Sequence, residues 1–280
     1  MINKLINFYM RLNIYKQLLP LLMLYIIIAI FFPKDANFSD QGRYLGFADC
    51  ILHGYYSLPF PDINLWNGPG YPIILAIFLF LKFSYAALRI LNAFLLYFSL
   101  VLSYKTINIY CGKKQALLFT LLLGAYFPIY DLLRIILTEC LTWFLVSLVC
   151  YSFVKSYQQK KLPIKLLLLS SFAIAYLVMT KVIFGYVVLA MLLTSMLLYL
   201  LPSFRNACKK SVLIFAVAFL FCLPWLSYTY HLTGKILYWS NAGNMSLYTM
   251  SSPYANETGQ WYTEEQLSKN PNHKLFIDSI

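Results

Sequence analysis

Long apolar runs alternate with short basic turns along most of this chain, and one extended polar stretch interrupts them early. The first run, QLLPLLMLYIIIAIFF (Gln17 to Phe32), is just long enough to span a hydrocarbon core about 30 Å thick at about 1.5 Å of rise per residue. Lys4, Arg11 and Lys16 precede it with no acid among them, which marks the cytoplasmic side. No small-residue cleavage site follows the run, so it reads as a retained helix rather than a signal peptide.

Residues 33–84 then form a long outside loop. Its first half, Asp40 to Tyr56, carries Tyr44, Phe47, Ala48, Ile51 and Leu52 at three- and four-residue spacing. That spacing predicts a short helix lying along the membrane surface on one apolar face. The second half contains NGPGYPIILAIFLFLKF, whose apolar part from Tyr71 to Leu81 would make roughly 16 Å of helix, too short to cross. We expect a juxtamembrane or half-inserted helix there. A short spanning helix is the alternative, and it would invert every later loop.

Charge decides between the two. With the half-helix, Tyr85 to Tyr110 crosses inward, 115–129 outward, 137–154 inward, 166–180 outward, 182–201 inward and 211–228 outward. The cytoplasmic ends then collect Lys105, Lys113, Lys114, Lys155, Lys160, Lys161, Lys165, Arg205, Lys209 and Lys210 and no acid. All ten acidic residues (Asp35, Asp40, Asp49, Asp62, Asp131, Glu139, Glu257, Glu264, Glu265 and Asp278) fall outside. The inverted scheme would export the Lys155–Lys165 cluster, against the positive-inside rule. The expected fold is therefore all-α: a polytopic transmembrane helix bundle of about seven spans, N-terminus in, with juxtamembrane helices in the first outside loop. Residues 1–228 form the membrane module. Residues 229–280 form a polar extracytoplasmic tail, expected to be a truncated C-terminal region that packs over the outer helix ends.

Composition agrees. The chain is 61% hydrophobic and only 11% charged, with mean hydropathy +0.67, far from the quarter or so of charged residues in a soluble domain. The net charge of +12 would suit nucleic acid if it formed a patch, but it punctuates the apolar runs, so no nucleic-acid partner is implied. The six cysteines show no CxxC spacing, and Cys50 in the outside loop has no evident disulfide partner. Three Asn-x-Ser/Thr triplets, at Asn37, Asn244 and Asn256, lie outside and matter only in a eukaryotic secretory setting.

Ionisable residues gather at the outer helix ends: Asp40, Asp49, Arg89, Asp131, Arg134, Glu139 and Lys181. Charges beside a spanning segment are costly and either line a cavity or pair together. Glu139 (in IILTECLTWF) and Lys181 (in LVMTKVIFG) are flanked by apolar residues. They read either as a structural pair, with Lys181 snorkelling to the headgroups, or as half of a mixed site in which carboxylates meet an acceptor and cations a phosphate. Asp40 reads either as the N-cap of the surface helix or as a general base. The histidines His53, His231 and His273 are scattered and form no metal site. A divalent metal held by Asp40 and Glu139 stays open, and no other cofactor is implied.

The order of motifs resembles the polytopic glycosyltransferases of the GT-C type. The likeness is greatest to the dolichyl-phosphate-mannose protein mannosyltransferase-like group, which takes in the bacterial lipid A aminoarabinose transferases. The residues that carry it are DQGRYLGFA from Asp40, NGPGYPIILAIF from Asn67, LRILNAFLLYF from Leu88, GAYFP from Gly124, LTE ending at Glu139, LPWLSYTYHLTGK from Leu223 and NMSLY from Asn244. The resemblance covers most of residues 17–262. It implies that the first outside loop carries the catalytic Asp, by position Asp40, and that the next outside loop offers a second acidic residue, Asp131 or Glu139. It also implies that the P-G-Y-P stretch is a juxtamembrane helix. Where the family commonly has Arg-Pro at the outer end of the fifth helix, this chain has Thr180-Lys181, which keeps the charge. Family members usually continue into further helices and often a soluble outer domain. This sequence, ending at Ile280, is read as a minimal module, a truncated product or one half of a complex.

The expected function is an inverting membrane glycosyltransferase. It would move a sugar from a polyprenyl-phosphate donor to a lipid, glycan or protein acceptor on the extracytoplasmic face, in a bacterial inner membrane. Asp40 would be the base, with Glu139 or Asp131 positioning the acceptor or a metal, and Lys181, Arg89, Arg134 and Tyr44 would hold the substrate and its phosphate. The alternative is a non-catalytic protein: a degenerate transferase, an assembly partner or a lipid-linked-sugar transporter. A transporter would place its charges near the bilayer midplane rather than at helix ends.

Overall fold

The computed structural model describes Tyr9 and residues 11–34 and 40–242. Asp35, the four acids beyond 242, the three Asn-x-Ser/Thr triplets and the Asn244–Tyr248 motif lie outside the described residues. Every described regular element is a helix. After a helical turn at Ile14–Gln17 come α1 (Leu19–Phe31), α2 (Gln41–Leu52), α3 (Gly70–Phe80), α4 (Tyr85–Cys111) and α5 (Lys113–Gly124). They are followed by α6 (Pro128–Leu132), α7 (Glu139–Gln158), α8 (Ile164–Thr180), α9 (Ile183–Leu200) and α10 (Arg205–Thr233).

Among the described residues four helices, α4, α7, α9 and α10, are long and apolar enough to cross a membrane, while α1, α3 and α8 are apolar but shorter. That is fewer than the seven spans expected. Two boundaries differ from the sequence reading. Arg205 to Lys210, expected as a loop, form the first turns of α10, because Arg and Lys are good helix formers whose stems extend along an apolar helix. The expected span at 115–129 breaks after Gly124 and resumes at Pro128, where proline is accommodated in a first helical turn.

Small residues bring the long helices together, as they must where water supplies no driving force between helices. On α8, Ser170, Ser171, Ala173 and Ala175 are buried. Ser171 Oγ donates to the Ile214 carbonyl of α10 at 2.9 Å, and Ser156 on α7 faces Ser170 at 3.4 Å. Helix α4 packs on α7 and α1, and α10 packs on both α8 and α9. Tyr25 in α1 donates to the Gly124 carbonyl at 2.7 Å, where α5 ends.

The bundle has two chemically distinct ends. At one, Lys105 meets Tyr15, and Lys210 donates to the carbonyls of Ser156 and Gln159. At the other lie the end of α1, helices α2, α3 and α6, the starts of α4 and α7, and the end of α8. All described acids (Asp40, Asp49, Asp62, Asp131 and Glu139) lie on these elements or the loops joining them. Helix α3 stays at this acidic end: Gly70, at its start, accepts from Tyr176 near the end of α8, and its own end turns directly into the start of α4.

Glycine is required where α3 enters. A Cβ on Gly68 or Gly70 would collide with the backbone of Met179 and Thr180, so N-G-P-G is the sequence that lets the loop touch the end of α8. The loop between α2 and α3 is also tied to α10, whose Tyr228 hydroxyl takes the amides of Ser57 and Tyr56 at 3.0 and 3.3 Å. Beyond α10, Trp239 is fully buried against Gly185, and its carbonyl accepts from Trp225 at 3.1 Å.

Candidate functional site

Helix α2 builds the site by presenting two faces. Gln41, Tyr44 and Ala48, spaced three or four apart, turn into the protein and are buried. Gln41 Oε1 accepts from the Ile136 amide at 2.8 Å, fixing the first turn of α2 against the strap that leads into α7. Phe47 is buried as well and stacks on Tyr56, whereas Leu52, expected on the apolar face, is exposed at the helix end.

Tyr44 is the centre of a polar chain. Asn67 Nδ2 donates to its hydroxyl at 3.0 Å, and the hydroxyl lies 3.5 Å from Thr138 Oγ1. Thr138 in turn donates to Glu139 Oε2 at 3.4 Å, and Lys181 Nζ donates to Glu139 Oε1 at 2.9 Å. With its one proton committed to Glu139, Thr138 can only accept from Tyr44, so the donors run in one direction, Asn67 to Tyr44 to Thr138 to Glu139. Burial pushes the Tyr44 phenol above the usual tyrosine range, against the pull of Thr138 and Lys181 and reinforced by Glu139 and Asp40. Glu139 and Lys181 are thus joined through Thr138 to one buried hydroxyl. Asn67 Oδ1, also buried, has no hydrogen-bond partner and is an acceptor held ready beside it.

The backbone explains the placement of the charged pair. Glu139 opens α7 and Lys181 closes α8, so each carries the sign that its helix end favours. Asp40 occupies the N-cap position of α2, but its side chain makes no capping bond. It pairs instead with Arg43 one turn on, whose guanidinium lies over the Trp66 ring at 5.2 Å.

The other expected site residues go elsewhere. Asp131 binds Lys34 Nζ at 3.2 Å and Arg134 at 3.1 Å, and Arg134 Nε also donates to the Phe32 carbonyl at 2.7 Å. This cluster ties α6 to the end of α1. The hydrogen bond from Lys34, with help from Arg134, holds the Asp131 carboxyl below its ordinary range. Arg89 Nε donates to the Ala29 carbonyl at 2.8 Å, on the α1 side of α4. Of the seven residues expected at the site, Tyr44, Glu139 and Lys181 come together, Asp40 opens the helix that carries Tyr44 and pairs with Arg43, and Asp131, Arg134 and Arg89 fasten α1. Asn67, Thr138, Gln41 and Arg43 were missed, although all four stand inside motifs that carry the family resemblance (N-G-P-G-Y-P, L-T-E and D-x-x-x-Y-x-x-x-A). Among the described residues no three His, Cys, Asp or Glu side chains cluster so as to hold a metal.

On the far side of α2 lies a pocket of about 350 Å3 lined by Arg43, Gly46, Phe47, Cys50, Tyr55 and Asp62, among others.

This helical architecture is shared with part of a solved membrane protein. The chain superposes on the Saccharomyces cerevisiae protein O-mannosyltransferase Pmt1-Pmt2 complex bound to the sugar donor, with a TM-score of 0.58 and 17% identity. The match covers 79% of this chain and 34% of that one, so this chain spans about a third of the length of its structural neighbour. No family model matches the sequence, and no curated protein matches it.

Proposed function

We propose that the chain is a membrane glycosyltransferase that transfers a sugar, with inversion, from a polyprenyl-phosphate donor to a hydroxyl-bearing lipid, glycan or protein acceptor. The observation that carries this reading is the hydrogen-bonded chain from Asn67 through Tyr44 and Thr138 to the Glu139–Lys181 pair, on the helix that Asp40 opens, at the acidic end of a fold shared with a donor-bound mannosyltransferase.

Asp40 is the base in this account. It takes the proton from the acceptor hydroxyl as that oxygen attacks the anomeric carbon. The bond from that carbon to the phosphate oxygen breaks, and its electron pair leaves with the phosphate. Lys181 meets the charge that develops there, and Tyr44, through Thr138, holds the Glu139 carboxylate that positions Lys181. Glu139 holds Lys181 in place. In this assignment Arg89, Arg134 and Asp131 hold the end of α1 beside the site rather than binding substrate.

The orientation follows from charge. The basic end lies in the cytoplasm by the positive-inside rule, and the acidic end with its site faces outward. Helices α1, α4, α7, α8, α9 and α10, together with the α5–α6 pair, make seven crossings, and α2 and α3 lie at the surface. A bacterial inner membrane is the setting proposed. An outward-facing site has no nucleotide-sugar supply, so a lipid-borne donor suits it, with the polyprenyl tail between helices. The transporter reading is disfavoured because the described acids collect at one end instead of lining the midplane.

The test is donor turnover. Purified protein in lipid nanodiscs is given polyprenyl-phosphate sugars carrying labelled mannose, glucose or aminoarabinose. Release of polyprenyl phosphate with formation of an anomerically inverted product supports the proposal. No turnover of any donor, with an acceptor panel of lipids, glycans and peptides present, counts against it.

A further inference from the structure

Helix α2 has two faces. Tyr44 and Ala48 face the Glu139–Lys181 side, whereas Arg43, Gly46, Phe47 and Cys50, again at three- and four-residue spacing, line the pocket of about 350 Å3 on the other. Arg43 links this pocket to Asp40: its guanidinium pairs with Asp40 and lines the pocket, and its Nε is buried without a partner. An inverting displacement places the acceptor and the leaving phosphate on opposite sides of the reacting carbon, and this pocket lies on the face of α2 turned away from Lys181.

Gly46 adds an independent observation. Glycine inside a helix costs about 0.5–1 kcal/mol relative to alanine. A Cβ at Gly46 would meet nothing within 4 Å, so no packing contact calls for glycine there. Its effect is to leave the pocket wall bare.

We infer that this pocket is the acceptor site and that it takes a single neutral sugar ring, such as the headgroup of a neutral glycolipid. The inference rests on the glycosyltransferase reading and deepens it. The size falls at the low end of ligand pockets, about 300–1,000 Å3, which suits one ring and not a glycan chain. The lining offers one cation and one anion, Arg43 and Asp62, with the Asn64 amide beside them. That set matches adjacent hydroxyls that both donate and accept, and it carries no excess of either charge to select an ionic group. Tyr55 and Phe47 supply apolar surface for the C–H face of the ring. One ring hydroxyl reaches past Arg43 to Asp40. Its O–H bond breaks with the proton passing to the Asp40 carboxylate, and its oxygen forms the new bond to the donor carbon as the phosphate leaves.

Cys50 in the pocket wall reports occupancy. N-ethylmaleimide alkylation of Cys50 is followed by peptide mapping, with exposed Cys111 at the basic end as internal control. Butyl glucoside, galactoside and mannoside and a Ser/Thr-rich peptide are the probes. At least one glycoside is expected to slow Cys50 alkylation fivefold or more while leaving Cys111 unchanged. Gly46→Leu, which fills the pocket, should abolish that protection, and Gly46→Ala should reduce it about twofold. If Gly46→Leu fails to fold, Gly46→Met fills the same space with a flexible chain. Protection by the peptide alone, by no glycoside, or equally in wild type and Gly46→Leu would overturn the inference. Donor turnover by the same preparation separates the two claims. Turnover without glycoside protection removes the pocket assignment and leaves the transferase reading intact, and protection without turnover removes the acceptor role.

Discussion

Lys181 Nζ lies 2.9 Å from Glu139 Oε1, so the residue that caps the end of one membrane helix is bonded to the first residue of another at the acidic end of the bundle. Each side chain is about one-third exposed, at 34%, which makes the pair neither a surface bridge nor a sealed one. Lys181→Ala and Glu139→Gln are each expected to lower the thermal midpoint in detergent, with a coupling energy of about 1 kcal/mol in the double-mutant cycle. Additive losses would show that the two charges act separately. On the proposed mechanism Lys181→Ala also lowers kcat at least tenfold, beyond what its stability loss accounts for.

Tyr44→Phe removes the hydroxyl that joins Asn67 to Thr138 while keeping the ring that meets Tyr71 edge-on at 5.7 Å. Loss of these two hydrogen bonds costs about 1–2 kcal/mol of stability. Turnover is expected to fall tenfold or more with the protein still folded, as judged by thermal melts beside donor assays. Unchanged kcat would remove the hydroxyl from the reaction.

Gly70→Ala should be among the more damaging small substitutions in the chain. The added Cβ would sit 2.6 Å from Thr180 Oγ1 and 2.8 Å from the Thr180 amide, so α3 must move off the end of α8. Overpacking of this kind costs about 1–3 kcal/mol. Gly42→Ala, whose Cβ meets nothing within 4 Å, is the control and should be neutral or slightly stabilising. Equal melting of both variants would contradict the close approach.

The Asp131 cluster gives a pH dependence with a defined sign. Its carboxyl is depressed by Lys34 and Arg134, so the folded state binds its proton less readily than the unfolded chain does. The stabilisation is present above the ordinary carboxylate range and is lost as the pH falls through the lowered folded value. Asp131 is half exposed, so the effect is modest. Asp131→Asn should flatten the acid limb of the thermal midpoint measured from pH 6 to pH 3 and leave neutral-pH turnover nearly intact. Loss of turnover at pH 7 would instead restore Asp131 to the active site.

Much of the helix path could be read from hydropathy, because in a bilayer a helix runs as far as its apolar residues do. The span expected from Tyr85 to Tyr110 is a helix to Cys111. Amphipathic helices extend past that limit, which is why the basic residues from Arg205 to Lys210 are helical and not a turn. At the site, periodicity was enough to put Tyr44, Phe47 and Ala48 on one face, which packs against protein where the membrane surface was expected, and apolar flanks were enough to single out Glu139 and Lys181. It could not separate Asp131 from Glu139, since both are acids in one short stretch and only the fold sends one to α1 and the other to α8. Asn67 was invisible as chemistry: an asparagine before Gly-Pro-Gly reads as a turn residue until the close approach of α3 to α8 brings it to Tyr44.

The most direct test of the account is transfer by Asp40→Asn compared with wild type and Asp40→Glu, at matched protein levels. The account predicts that Asn lowers kcat by about 10²-fold or more with little change in donor affinity and that Glu keeps partial activity. Wild-type rates in Asp40→Asn would contradict the assignment of Asp40 as the base.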